Sequence, residues 1–223
     1  MKEEYISMLK RQELFSGVVR EDIGHMLTCL GAYEKNYKKS EFILLSEETV
    51  NCVGIILKGR VHMVKEDLWG NSTILALLQP FEIFGETFAC GSTKKSTVSF
   101  QAAEAVEVLF LQFNKVMRTC SKACTFHQQL IENMVSIIAD KNLLLMEKIE
   151  ITSKKTIREK ISTYLGNQAR KKKSSYITIP MGRMQLAEYL CVDRSALTRE
   201  LNLMREQGLI DFDKNTFRIL KEL

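Results

Sequence analysis

The chain is poor in the residues that punctuate or staple a fold. Its 223 residues include two prolines, one tryptophan and three histidines. So few histidines, with no P-loop, GxSxG or HExxH motif and no carboxylate cluster, leave little from which to build an active site, and no enzyme is expected. The six cysteines (Cys29, Cys52, Cys90, Cys120, Cys124 and Cys191) are scattered without a CxxC pair. They suit reduced thiols better than a disulfide framework. No apolar run approaches the roughly 18 residues that a membrane span needs. The opening stretch MKEEYISMLKRQELF is charged throughout and does not read as a signal peptide. A cytoplasmic protein without membrane contact is expected.

What is present is uneven charge. Hydrophobic residues make up 45 % and charged residues 26 %, an ordinary globular balance, and the net charge is +5. Residues 150–223 carry 15 Lys and Arg against 9 Asp and Glu, while the first 149 carry 17 against 18. All the excess positive charge therefore lies in the last third. A neutral domain joined to a polyanion-binding module would be charged in this way.

The hydrophobic pattern changes along the chain. Residues 4–30 have helical spacing, broken at Gly17 and Gly31. From about Tyr33 to Phe113 there are short runs rich in Ile, Val, Phe and Leu: FILL (42–45), VGIIL (53–57), RVHMV (60–64), STILALL (72–78), TVSFQA (97–102) and VEVLFL (106–111). Many short strands near ten-residue spacing predict an antiparallel sandwich or barrel. Residues 115–149 hold no Gly or Pro and read as one long helix. Along it Ile131, Val135, Ile138, Asn142, Leu145 and Ile149 repeat at alternating steps of four and three, the seam of a two-stranded coiled coil. Asn142 on that seam would fix register at some cost in stability. Leu130, Met134, Ile137 and Leu144 form a second stripe that could cover the β domain. A single amphipathic helix packed only on its own core is the simpler alternative.

After a hinge at EITSKK (150–155), where Thr152 or Ser153 could cap, a helix is expected from Lys154 to about Ala169, ending in the solvated turn RKKKSS. The strand YITIP follows. QLAEYLCVDRSALTREL (185–201) reads as two short helices about a tight turn. The first, about 182–190, buries Leu186, Ala187 and Leu190. Cys191, Val192 and Asp193 make the turn, with Val192 toward the core and Asp193 as cap. The second, 194 to about 206, buries Leu197, Leu201 and Met204, and its other face carries Arg194, Ser195, Thr198, Arg199 and Asn202. Arginine can give two hydrogen bonds to guanine, and a threonine methyl can meet a thymine methyl. Gln185 and Arg183, at the start of the first helix, complete the candidate DNA-binding set. GLIDFDKNTFRIL (208–220) predicts a hairpin wing. An ordinary helical hairpin with a solvated face is the bland alternative, and the local positive charge weighs against it.

The order of parts resembles the Crp/Fnr family of transcription regulators, over essentially the whole chain. The sharpest matches are LKGRVHMVKEDLWGNSTILALLQPFEIFGE (57–86) and QLAEYLCVDRSALTREL itself. The resemblance implies an α+β fold. An antiparallel β-roll, jelly-roll-like, would occupy residues 1–114 with the N-terminal helices. A dimerisation helix would follow at 115–149 and a winged helix-turn-helix at 150–223. It further implies a homodimer on a palindromic operator of double-stranded DNA, controlled by a small molecule in the β-roll, with RNA polymerase as partner if the protein activates. Arg194 and Arg199 match two positions that read guanines in the cyclic-AMP branch. Ser195 stands where a glutamate is usual, which predicts a modified half-site core.

The effector is the least legible part. FGETFACGSTKKS (84–96) occupies the place of the phosphate-binding cassette. The resemblance makes Gly85, Glu86, Thr87, Lys95 and Ser96 candidate effector residues, joined by Leu145 from the long helix. Lys95-Ser96 replaces an Arg-Ser pair, and lysine lacks arginine's two-pronged fork. Leu144-Leu145-Met146 stands near where the cyclic-AMP binders offer hydroxyls to adenine, which argues against cyclic AMP. A different small organic molecule is expected, with a ligand-free scaffold as the alternative. Before Cys52 only Cys29 is available, too few for the iron–sulfur cluster of the oxygen-sensing branch. Cys120, Cys124 and His127 share a helical face and could hold zinc or haem, and His62 lies near a haem-ligand position, but buried thiols beside a core histidine are the commoner explanation. No metal or cofactor is expected. A redox-sensing regulator and a nucleotide-binding adaptor without DNA binding are the competing functions.

Overall fold

A computed structural model describes residues 3–67, 69–117 and 125–221 of the chain. The chain divides into two compact units, residues 1–140 and 141–223.

The first unit opens with α1 (Glu3–Leu9), a 3-10 turn (Glu13–Phe15) and α2 (Arg20–Cys29). Eight strands follow: β1 (Tyr33–Tyr37), β2 (Phe42–Leu44), β3 (Cys52–Lys58), β4 (Val61–Glu66), β5 (Ser72–Leu78), β6 (Ile83–Phe84), β7 (Ser99–Ala102) and β8 (Val106–Gln112). The short α3 (Glu86–Cys90) lies between β6 and β7, and α4 (Phe113–Val116) follows β8. The strands form two antiparallel four-stranded sheets, ordered β1-β8-β3-β6 and β2-β7-β4-β5. The expected sandwich is therefore present.

The continuous apolar runs of β3 and β8 arise because both faces of the first sheet are buried, so the period of two is hidden. Val53, Ile55, Leu57, Leu109 and Leu111 join a core with α1, α2 and the start of α5. The alternate residues Ile56, Val108 and Phe110 enter a second core between the sheets. Gly54 belongs to that inner row, and a Cβ there would lie 2.3 Å from the Phe84 ring, so only glycine admits the ring. Gly59 turns β3 into β4 at φ +80, with Ala105 O only 2.4 Å from where a Cβ would stand.

The long helix α5 spans Thr125–Thr152, and the unit boundary falls within it. The expectation of one helix from residue 115 needs correction, because Lys115 belongs to the separate α4. Cys120 and Cys124 lie outside the described residues. Leu130, Met134 and Ile137 are buried in the first core as expected, but Leu144 is 58 % exposed. It lies beyond the half of α5 that the β domain covers.

The second unit contains α6 (Ile157–Lys172), β9 (Tyr176–Thr178), α7 (Arg183–Leu190), α8 (Arg194–Glu206), β10 (Ile210–Asp213) and β11 (Thr216–Ile219). The strands form an antiparallel sheet in the order β10-β11-β9, which gives the wing a third strand. Leu186, Leu190, Leu197, Leu201 and Met204 share one core with Ile161, Leu165, Ile177 and Phe217. The α6 cap is corrected from Thr152 or Ser153 to Thr156. Glu159 N donates to Thr156 Oγ1 at 3.1 Å, and Thr156 N donates to Glu159 Oε2 at 2.9 Å, a reciprocal capping box. Thr152 instead donates back to Lys148 O at 2.8 Å within α5.

Candidate nucleic-acid interface and sensor cassette

The second helix of the turn unit is fixed at its start by Asp193. One carboxylate oxygen accepts from the backbone N–H of Ser195 and Ala196 at 2.9 Å each, and from the Ser195 hydroxyl at 2.5 Å. The Ser195 hydroxyl and these backbone bonds hold the Asp193 carboxyl below the usual carboxylate range. α7 ends at Cys191 in the left-handed region, φ 52, and two ammonium groups neutralise its terminal carbonyls. Lys160 donates to Leu190 O at 3.2 Å, and Lys148 donates to Tyr189 O while lying 3.8 Å over the Tyr189 ring. Burial lowers the Lys148 ammonium below its ordinary value. Sequence reasoning missed both lysines, because nothing local to either announces a carbonyl 41 residues ahead of Lys148 or 30 ahead of Lys160. Arg158 pairs with Glu200 at 2.6 Å and ties α6 to α8.

With α8 anchored on three sides, its outward face can be sorted by what each side chain already holds. Arg194 and Arg199 are exposed and have no hydrogen-bond or ion-pair partner among the described residues. Thr198 is exposed, and its hydroxyl is satisfied by Arg194 O at 2.9 Å, which leaves the methyl to present. Asn202 accepts from Arg205 at 3.3 Å. At the start of α7, Gln185 Oε1 accepts from Gly182 N at 2.9 Å, so its amide N–H groups remain to donate. Arg183 turns onto the wing, 4.9 Å over Phe212, and donates to Lys214 O at 3.2 Å. Burial lowers its guanidinium from the ordinary value.

The RKKK run is exposed, as expected, but it is not a turn. It is helical through Lys172, with Lys173 closing α6 at φ 49. Arg170 donates to Asn167, Lys171 to Glu147 and Lys172 to Thr178 O, so three of its four cations are already engaged.

In the first unit, Gly85 stands at φ 82 before the five-residue α3, with Glu86 buried and Thr87 exposed. Ser96 is fully buried, and its hydroxyl donates to Val98 O at 2.6 Å. Lys95 points outward to Glu47 at 3.7 Å. The space between the sheets beside this cassette is filled by interlocking rings. Phe84 lies 4.9 Å from Phe100 and 6.3 Å from Phe110, with Phe88 6.4 Å from Phe100 and Tyr37 6.5 Å from Phe110. Leu145 falls in the second unit and is 62 % exposed, so the cassette residues and Leu145 belong to different units.

On α5, Val135, Leu145 and Ile149 are exposed, as is Asn142, while Ile131 and Ile138 are half-buried. His127 is buried against Phe126, with Nε2 3.9 Å from Cys29 Sγ. His62 is half-buried in β4. Among the described residues no three His, Cys, Asp or Glu side chains gather as metal ligands, and no helix is long and apolar enough to cross a membrane.

Two domain families match this chain. Residues 34–123 match the cyclic nucleotide-binding domain, and residues 159–222 match the Crp-like helix-turn-helix domain. The chain belongs to the Crp/Fnr family of transcription regulators. It is 24 % identical over 191 residues to the transcriptional activator protein FnrA of Stutzerimonas stutzeri, covering 83 % of this chain and 76 % of that protein. The fold is similar to that of the global regulator CLP of Xanthomonas campestris, a structure described as c-di-GMP responsive. That match has a TM-score of 0.53 and 14 % identity, over 91 % of this chain and all of that one. It is also similar to a CooA mutant from Carboxydothermus hydrogenoformans, with a TM-score of 0.52 and 19 % identity over 87 % and 86 %. Crp/Fnr members are DNA-binding regulators with an effector-binding domain, and the α+β architecture here is theirs.

Proposed function

We propose that the protein is a homodimeric regulator without catalytic activity, located in the cytoplasm. It binds a palindromic operator through two copies of α8, under control of a small molecule other than cyclic AMP in the β-roll. The observation that carries the DNA-binding reading is the pair of exposed guanidiniums of Arg194 and Arg199, neither in a hydrogen bond or ion pair among the described residues, on a helix whose opposite face is locked into a core. A helix so held can enter a major groove as a rigid body, with its arginines aimed at base edges. Thr198 and the free amide of Gln185 flank them. Asn202, Ser195 and Arg183 take supporting positions, since each is already bonded within the domain. Where the protein activates, RNA polymerase is its further partner.

The dimer reading rests on the exposed apolar stripe of α5. Leu143, Leu144, Leu145, Met146 and Ile149 are each about 60 % exposed within six or seven residues, and Val135 continues the stripe. Such a band is unusual on a soluble monomer and suits a partner helix. The domain limits are read as 1–114, 115–149 and 150–223. The effector reading keeps Gly85, Glu86, Thr87, Lys95, Ser96 and Leu145 as its residues. The ligand would act by favouring one meeting of the paired helices, because only differential affinity shifts a population.

Salt titration tests the DNA reading. Affinity for duplex DNA should fall linearly in log–log form, with a slope of about −0.9 per neutralised phosphate. Selection from random DNA should return a palindrome whose half-site departs from TGTGA and TTGAT. Binding that is insensitive to salt, or no duplex binding at all, would overturn the assignment.

A further inference from the structure

The geometry points to a ligand site beyond the effector residues named above: a cavity at the mouth of the β-roll, suited to a planar aromatic carboxylate stacked on Tyr33, with Lys94 of the cassette loop as its counter-charge. The inference goes beyond the regulatory reading, and its test uses no DNA, so either can fail without the other.

Three strands supply the floor. Antiparallel pairing sets Tyr33 beside Phe110 and Cys52 beside Gln112, so these four side chains form two adjacent rows on the inner face of one sheet. Deeper along that face the rings of Phe84 and Phe110 close the roll. At the mouth they give way to a cavity of about 620 Å3, lined by Tyr33, Cys52, Lys94, Gln112, Phe113 and Asn114 among others. This volume lies within the range of small-molecule sites.

The walls are fixed by backbone bonds. Phe113 N donates to Asn51 O at 2.9 Å, and Val50 N donates to Lys94 O at 2.7 Å. Tyr33 is stacked on Phe110 at 5.2 Å, 22° from parallel, which holds it as a flat wall.

The chemistry of the lining selects the occupant. Lys94 is the one charged side chain among the lining residues, and no carboxylate joins it. Its neighbour Lys95 turns away to Glu47, whereas Lys94, at φ 51, has no ion-pair partner among the described residues. Burial first, and then the contact with Cys52, push the Tyr33 phenol up to about 12, so it adds no negative charge at neutral pH. The Tyr33 ring offers stacking, the side-chain amides of Asn51, Gln112 and Asn114 offer hydrogen bonds, and one ammonium attracts an anion. A cation would meet like charge, and a neutral ring would leave the ammonium unused. Lys94 directly precedes Lys95 and Ser96, so an occupant would bear on the same loop as the cassette.

Cys52 provides a local reporter, since its Sγ lies 3.8 Å from Tyr33 Oη at the cavity wall. The full chain is treated with iodoacetamide and alkylation is followed cysteine by cysteine, with exposed Cys90 and Cys191 as internal standards. With 1-naphthoate at ten times its Kd, Cys52 alkylation should slow about tenfold while the standards are unchanged. 1-Naphthylmethylamine should give no slowing. Amide chemical shifts of Asn51, Gln112 and Asn114 read the same occupancy independently of thiol reactivity. Lys94→Asn, which tolerates the left-handed backbone, should abolish the naphthoate effect, with unchanged Cys90 and Cys191 rates reporting an intact fold. The proposal is overturned by naphthoate that neither slows Cys52 nor shifts those amides. Equal protection by the amine, or protection that survives Lys94→Asn, overturns it as well.

Discussion

Residues on one helical face are not equivalent, and their existing bonds rank them. Arg199 is free to read a base, so Arg199→Ala should cost about 1–3 kcal/mol on the selected operator and relax preference at one base pair. Competition binding checks this, and equal weakening on random DNA would make Arg199 a phosphate contact. Ser195 differs, because its hydroxyl is spent on Asp193. Ser195→Glu would place an acceptor where cytosine N4 can donate, and should shift the half-site returned by selection at that position. The same hydrogen bond sets a titration. Asp193 is depressed when folded, so its capping contribution is present above the unfolded pKa and is lost as pH falls through the lower folded value. Carboxyl-carbon NMR should therefore find the Asp193 midpoint below the ordinary aspartate range. Ser195→Ala should move it upward, since the largest cause of the depression is removed.

Elements were legible where local chemistry is self-sufficient. Asp193 is a cap with a helix behind it, and Leu197, Leu201 and Met204 mark one face, so α8 runs Arg194–Glu206 as the pattern predicts. The sandwich strands announced themselves by β-branched and aromatic runs. β1 did not, because YEKNY has four exposed positions on a sheet edge and reads as a polar loop. The break between α4 and α5 was invisible for a related reason: a stretch without Gly or Pro permits a helix but does not require a continuous one. At the hinge, several hydroxyl residues compete for one cap, and the winner is decided three residues downstream by Glu159. Thr156→Ala should then destabilise α6 by about 1 kcal/mol, read as a lower denaturant midpoint at unchanged m-value. Thr152→Ala should do little, because its hydroxyl bonds within α5. The outward-facing arginines of α8 could be named from sequence, whereas the roles of Lys148, Lys160 and Arg183 depend on which distant carbonyl or ring meets them. The ring-filled roll was likewise hidden, since phenylalanines in strands look the same whether they line a pocket or fill it.

At the scale of the molecule, the proposed dimer gains strength by joining two weak readers. In that reading a single α8 contacts one half-site. A second copy tethered through α5 turns the other half-site into an intramolecular encounter, which raises affinity by roughly 10²–10⁴ without new contacts. In the proposed dimer the joining surface is the exposed stripe, in which Leu145 and Ile149 are 62 % and 64 % exposed. Both lie outside the α8 core, so a charge there should leave each unit folded. Leu145→Lys should therefore convert a dimer into a monomer in sedimentation velocity, with the thermal transition of the wing domain nearly unchanged. Affinity for the full palindrome should drop by the avidity factor, while affinity for an isolated half-site stays as it was. That split separates lost pairing from lost folding, which would weaken both targets together. Asn142→Leu should act in the opposite sense: it removes a polar group from the same seam, strengthening association while loosening register. The palindrome should then tolerate altered half-site spacing that the wild type rejects. If the wild-type chain sediments as a monomer and binds half-site and palindrome alike, the stripe does not pair, and α5 serves only to connect the two units.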